Sequence, residues 1–165
     1  MRRVTVDALI EDVSALQAYD QVLRFDRYAD LAPHVQSTVV HRTRPEPTGS
    51  SSWELHFRSG LLSWTEHERF LIDDLTIEFE QEHGDFDEFA GRWTLTQTGA
   101  DTALHFEVDF DFGIPSLEGI LDPIAERVIK ETVAWSVVGL FDVVHLTGED
   151  APDPVPDPVA AGVQG

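Results

Sequence analysis

The chain has 165 residues, 42% of them hydrophobic, with no cysteine and with 31 acidic against 11 Lys and Arg side chains, a formal charge of −20. That field repels phosphate backbones and anionic headgroups, so nucleic acid is not expected as a partner. Without cysteine there are no disulfides, thiolate metal sites or cysteine nucleophiles, and the size and apolar content suit one domain with a tail.

The amino terminus, MRRVTVDALIED, reaches acidic residues before any apolar run of signal-peptide length. No segment approaches the roughly 18 uninterrupted apolar residues of a membrane span, so a cytoplasmic protein without stable membrane insertion is expected. Arg2 to Ile10 alternates, with Val4, Val6 and Ala8 opposite Thr5, Asp7 and Leu9, which predicts a first strand. Glu11 to Ser14 offers helix caps, and Leu16, Tyr19 and Leu23 recur at helical spacing. A second short helix is expected from Asp26 to about Ala32, stopped by Pro33.

From Val35 the period becomes twofold. VQSTVVHR, SSWELHFR, LLSWTEHERF, LTIEFEQE, FAGRWTLTQ and TALHFEVDFDF read as strands separated by turn-forming residues, a meander of antiparallel strands. In the last, Leu104, Phe106, Val108, Phe110 and Phe112 share one face. After Pro115 the pattern turns helical, with a break or kink at Pro123. A long helix is expected from Ile124 to about Leu146, with Ile124, Val128, Trp135, Gly139, Leu140 and Val143 along one side. The Pro- and Asp-rich residues 148–165 predict a disordered tail behind a domain of residues 1–147.

This order predicts an α+β fold: a curved antiparallel sheet of about seven strands wrapped around a long C-terminal helix, with two short helices after the first strand. A sheet curved around one helix leaves concave apolar space in which small ligands bind.

Gly60 to Thr65 (GLLSWT), then Gly84-Asp85-Phe86 leading to Gly91-Arg92-Trp93-Thr94-Leu95, then the alternating strand and long terminal helix, resemble the START-like (SRPBCC) superfamily of helix-grip proteins. Within it the chain is similar to bacterial polyketide cyclase/dehydratase and coenzyme-Q-binding START proteins, over roughly Arg2 to Leu146. The resemblance implies a hydrophobic cavity between sheet and terminal helix that takes polyketides, quinones or lipids, entered near the early helices. In several aromatase/cyclase members an inward serine and then an inward arginine follow the Trp-Thr pair, where this chain has Glu66 and Glu68. The cavity histidine and terminal-helix aspartate of other members fall on Val108 and Gly139, so the known cyclisation groups do not carry over.

Alternation in LLSWTEHERF puts Leu62, Trp64, Glu66, Glu68 and Phe70 on one face. Two carboxylates among large apolar side chains are expensive to bury unless something pairs or uses them. In an apolar cavity, desolvation raises a carboxyl pKa and a second carboxyl raises it further, leaving one as a neutral acid and the other as a base. Such a pair can enolise a β-keto substrate or protonate a departing hydroxyl. The competing reading puts both at a watery cavity mouth, or slips the strand by one residue so that His67 and Arg69 point inward. Arg92, beside Trp93, carries the same ambiguity. Trp53, Phe57, Trp64 and Trp93, with Phe106 and Phe110 of the last strand, are candidates for an aromatic wall, Tyr28 for a gate and Trp135 for a floor; each suits plain core as well.

The seven histidines show no paired ligand spacing, and no phosphate loop, GxSxG elbow or dinucleotide fingerprint occurs, so neither metal nor cofactor is expected. Two functional classes stay open: a cyclase/dehydratase acting on a polyketide-like intermediate through Glu66 and Glu68, and a non-catalytic carrier of a quinone, lipid or other apolar ligand. A monomer and a homodimer are both compatible with the sequence.

Overall fold

Alternation between two strand faces organises the molecule. In a computed structural model, residues 1–148 and 151–154 are described. The chain runs through β1 (Arg2–Ile10), α1 (Ala15–Val22), a 3-10 turn (Phe25–Arg27), α2 (Tyr28–Leu31), β2 (Val35–Arg42), β3 (Thr48–Phe57), β4 (Gly60–Leu71), β5 (Thr76–Gly84), β6 (Glu88–Thr98), β7 (Asp101–Asp111), α3 (Glu118–Leu140) and β8 (Val144–Thr147). The strands form one antiparallel sheet in the order β2-β3-β4-β5-β6-β7-β1-β8, curved around α3 in the helix-grip manner.

Every second residue of β7, from Thr102 to Phe110, is buried, and β1 beside it buries Val4, Val6, Ala8 and Ile10 on the same face. That period-2 pattern gives the sheet one apolar side, which α3 covers with Ala125, Val128, Ile129, Val133, Val137 and Leu140. Helix α1 starts where Ser14 caps it: its Oγ accepts from the Gln17 N–H at 3.1 Å, and Gln17 Oε1 accepts from the Ser14 N–H at 3.3 Å. Its buried stripe is Ala15, Ala18, Tyr19 and Val22, so Tyr19 and the following Leu23 are core as expected. Leu16, expected among them, instead faces out at 50% exposure.

Three boundaries differ from the sequence reading. Helix α3 begins at Glu118 and passes through Pro123. The carbonyl that loses its partner to this proline belongs to Gly119, in the solvent-exposed first turn of the helix. The helix also ends at Leu140, because Phe141 turns to extended backbone. The residues expected to continue it form an eighth strand instead, antiparallel to β1 with Val144 opposite Ile10 and Leu146 opposite Ala8. Ile124 and Val143, expected on the core side of the helix, are 36% and 44% exposed. The expectation of a disordered tail falls largely outside the described residues; within them, the Asp153 carbonyl accepts a 2.7 Å hydrogen bond from the Trp135 indole.

No helix among the described residues is long and apolar enough to cross a membrane.

Candidate functional site

Strand β4 turns Leu62, Trp64, Glu66, Glu68 and Phe70 inward. The register against β5 does shift between Thr65 and Glu66, but the extra residue, Glu82, sits on β5. Strand β4 therefore keeps its alternation, and the slip that would turn His67 and Arg69 inward does not occur. Both glutamates are almost completely buried, with 4% and 1% exposure.

Register against β3 decides what surrounds them. Ser51 lies opposite Glu66, Trp53 opposite Trp64, and Gly49 opposite Glu68. The Trp64 indole donates to Glu66 Oε1 at 3.0 Å, the Ser51 hydroxyl donates to Glu68 Oε2 at 2.8 Å, and the Trp53 indole donates to Ser51 Oγ at 2.9 Å. The carboxyls are in hydrogen-bond contact with each other, so the polar chain runs Trp64, Glu66, Glu68, Ser51, Trp53. It closes on itself through the parallel stack of the two indoles, centroids 5.8 Å apart. Gly49 makes room for it, since a Cβ there would lie 2.8 Å from Glu68 Oε1, 2.6 Å from the Phe70 ring and 2.8 Å from the Arg42 carbonyl.

Burial, then the adjoining Glu68 charge, pushes the Glu66 pKa well above the usual carboxyl value, against the opposing Trp64 N–H. Burial also raises Glu68, but there the hydrogen bonds from Glu66 and Ser51 and the charges of His67 and Arg42 favour the ionised form. Both directions favour protonation, so the pair holds a proton to higher pH than two separate carboxyls would.

Glu66 reaches a cavity of about 40 Å³ lined by Phe25, Tyr28, Trp53, Leu55, Trp64, Phe79, Phe89, Trp93, Phe106, Ile129, Thr132 and Val133. The wall is interlocked: Trp53 meets the edges of Phe25 and Tyr28 at 5.1 and 5.4 Å, Trp64 lies 4.9 Å from Phe89, and Trp93 lies 4.7 Å from Phe106. A drug-sized ligand needs roughly 300 Å³ or more, so a larger occupant must move these side chains apart.

Of the candidates from sequence, Tyr28, Trp53, Trp64, Glu66, Trp93 and Phe106 line this space together, and Glu68 stands behind Glu66. Tyr28 is no gate: it is 1% exposed and its hydroxyl donates to the Val22 carbonyl at 2.7 Å. Phe110 is buried core packed on Phe86, and Phe57 sits half-buried against Phe112, both away from the cavity wall. Trp135 is buried but stacks on His34 at 5.0 Å rather than forming a cavity floor. Arg69 and Arg92 are on the outer face, Arg69 paired with Glu78, and Arg92 placed between Glu78 and Glu107 across the strands. Ser51 and Gly49 escaped the sequence reading because their roles depend on the β3–β4 register, and Phe25, Phe79 and Phe89 because aromatic type alone does not separate wall from core.

Residues 12–134 match the family described as polyketide cyclase / dehydrase and lipid transport. No curated protein sequence matches the chain. Among solved structures, a Thermus thermophilus protein is 21% identical, with 84% of this chain and 93% of that one covered and a TM-score of 0.72. The Zhui aromatase/cyclase of a Streptomyces species is 15% identical over 84% and 93%, at 0.69. A START superfamily protein from Mycobacterium smegmatis is 16% identical over 83% and 94%, at 0.67. At these identities the structures share the fold, and the match to most of the chain carries the assignment: this chain belongs to the polyketide cyclase / dehydrase and lipid transport family of the START-like superfamily.

Proposed function

We propose that the chain binds a hydrophobic small molecule between the sheet and α3 and, as a polyketide cyclase/dehydratase-type protein, moves protons on it with Glu66 and Glu68. The observation that supports this most is the buried carboxyl pair at the cavity wall, both of whose pKa values burial raises. A neutral acid beside a carboxylate is the equipment for enolising a β-keto group or protonating a departing hydroxyl, and confinement in a shaped cavity supplies orientation. Incubating the protein with poly-β-ketone analogues and following cyclised or dehydrated products tests this. Conversion by the wild type that is lost in Glu66→Gln, with binding kept, is expected; equal conversion by Glu66→Gln contradicts the role.

A specific observation favours the second reading, a non-catalytic carrier of a quinone, lipid or similar molecule. The Tyr28 and Thr132 hydroxyls and the Trp53 and Trp64 indoles already donate to Val22, Val128, Ser51 and Glu66, so they offer no free donor to a developing oxyanion. Native mass spectrometry of protein from its own host separates the two, since a carrier retains an unchanged ligand.

A further inference from the structure

A polyketide or quinone presents carbonyl oxygens, which need donors, and this wall has already spent the hydroxyls of Tyr28 and Thr132 and the N–H groups of Trp53 and Trp64. What it presents to an occupant is a lining of aromatic side chains and one buried carboxyl. The pair also lacks a partner. Neither Glu66 nor Glu68 forms an ion pair with an Arg, Lys or His among the described residues. A buried negative charge without a counter-ion is costly, and a cation that enters the cavity supplies one. Aromatic rings in the lining attract the same cation, and the −20 charge of the chain concentrates cations around it.

We propose that the occupant is a lipophilic organic cation, a compact amine whose ammonium group sits against Glu66 in the aromatic lining to which Trp53, Trp64 and Trp93 belong. This rests on the reading that the cavity is a ligand site, and narrows the hydrophobic molecule proposed for it to one that carries an ammonium group. The ammonium becomes the counter-ion of the pair, so a proton held by the pair leaves to solvent as the amine enters. The groups facing the pair agree with this assignment. From the α2 region Tyr28 shares the cavity with Glu66, and burial keeps its hydroxyl protonated; on Glu68 the weak influences are His67 of β4 and Arg42 of β2; β5, β6, β7 and α3 contribute Phe79, Phe89, Trp93, Phe106, Ile129, Thr132 and Val133, none of which carries charge near neutral pH.

The test compares benzylamine with benzyl alcohol, its neutral counterpart of nearly the same shape, followed by tryptophan fluorescence and by calorimetry in two buffers of different ionisation heat. Benzylamine is expected to bind at least about tenfold more tightly at pH 8 and, wherever the free pair is still protonated, to release about one proton and to gain about tenfold in affinity per pH unit. Glu66→Gln is expected to abolish the preference for the amine while leaving benzyl alcohol binding in place. The wild-type pH dependence stands as a test even if that variant folds poorly. Equal or tighter binding of benzyl alcohol, or amine affinity independent of pH with no proton release, overturns the cation assignment while leaving the cavity as a ligand site. Failure of both compounds to bind overturns both.

Discussion

Replacing Glu66 and Glu68 together by glutamine should reshape the pH dependence of stability. Folding raises both carboxyl pKa values above the ordinary 4.5, so the folded chain holds protons that the unfolded chain releases. The stability this contributes is full below pH 4.5 and is lost as pH rises through the folded values, the reverse of the usual salt-bridged carboxylate. While the folded pair holds one proton more than the unfolded chain, each pH unit costs about 1.4 kcal/mol. Above pH 4.5 the wild type should therefore lose stability relative to the double variant at up to that slope, until the folded pair has released its proton. Urea unfolding followed by tryptophan fluorescence at several pH values measures it, and the difference between the two proteins removes the general repulsion from the −20 charge. A difference that stays constant across this range would refute a proton held by the buried pair.

Tyr28→Phe should destabilise by about 1–3 kcal/mol in the same assay, because the Val22 carbonyl loses its buried donor, while ligand binding survives since the ring remains in the wall. Gly49→Ala should cost about 1–3 kcal/mol and disturb Glu68, visible as a smaller pH dependence of stability, since the new methyl collides with Glu68, Phe70 and the β2 backbone. Arg69→Ala, with 60% of its side chain exposed beside Glu78, should change stability by less than about 1 kcal/mol and leave ligand binding untouched.

Much of this was readable from alternation. The inward face of β4, with Glu66 and Glu68 on it, and the one-sided β7 follow from period 2 because the sheet has a single buried side. The segment from Phe141 to Thr147 misled because a short strand carries too few residues to show its period, and Val144–Thr147 is held by pairing with β1, more than 130 residues away in the chain. The division of inward aromatics into wall and core was hidden for a related reason. Phe106 and Phe110 share one strand face, but only Phe106 borders the cavity, a matter of position along the curved sheet that local sequence does not encode. The cavity's small size likewise follows from how Phe25, Tyr28, Trp53 and Trp64 interlock across four separate segments.

The central claim, that the space around Glu66 is the ligand site, is tested most directly by the four tryptophans. Trp53, Trp64 and Trp93 line the cavity, whereas Trp135 lies outside it with its indole bonded to the Asp153 carbonyl. In an indole-region NMR titration with a panel of small aromatic ligands, benzylamine included, the resonances of Trp53, Trp64 and Trp93 should shift together and that of Trp135 should stay in place. Shifts confined to Trp135, or ligand binding that moves none of the other three, would contradict the account.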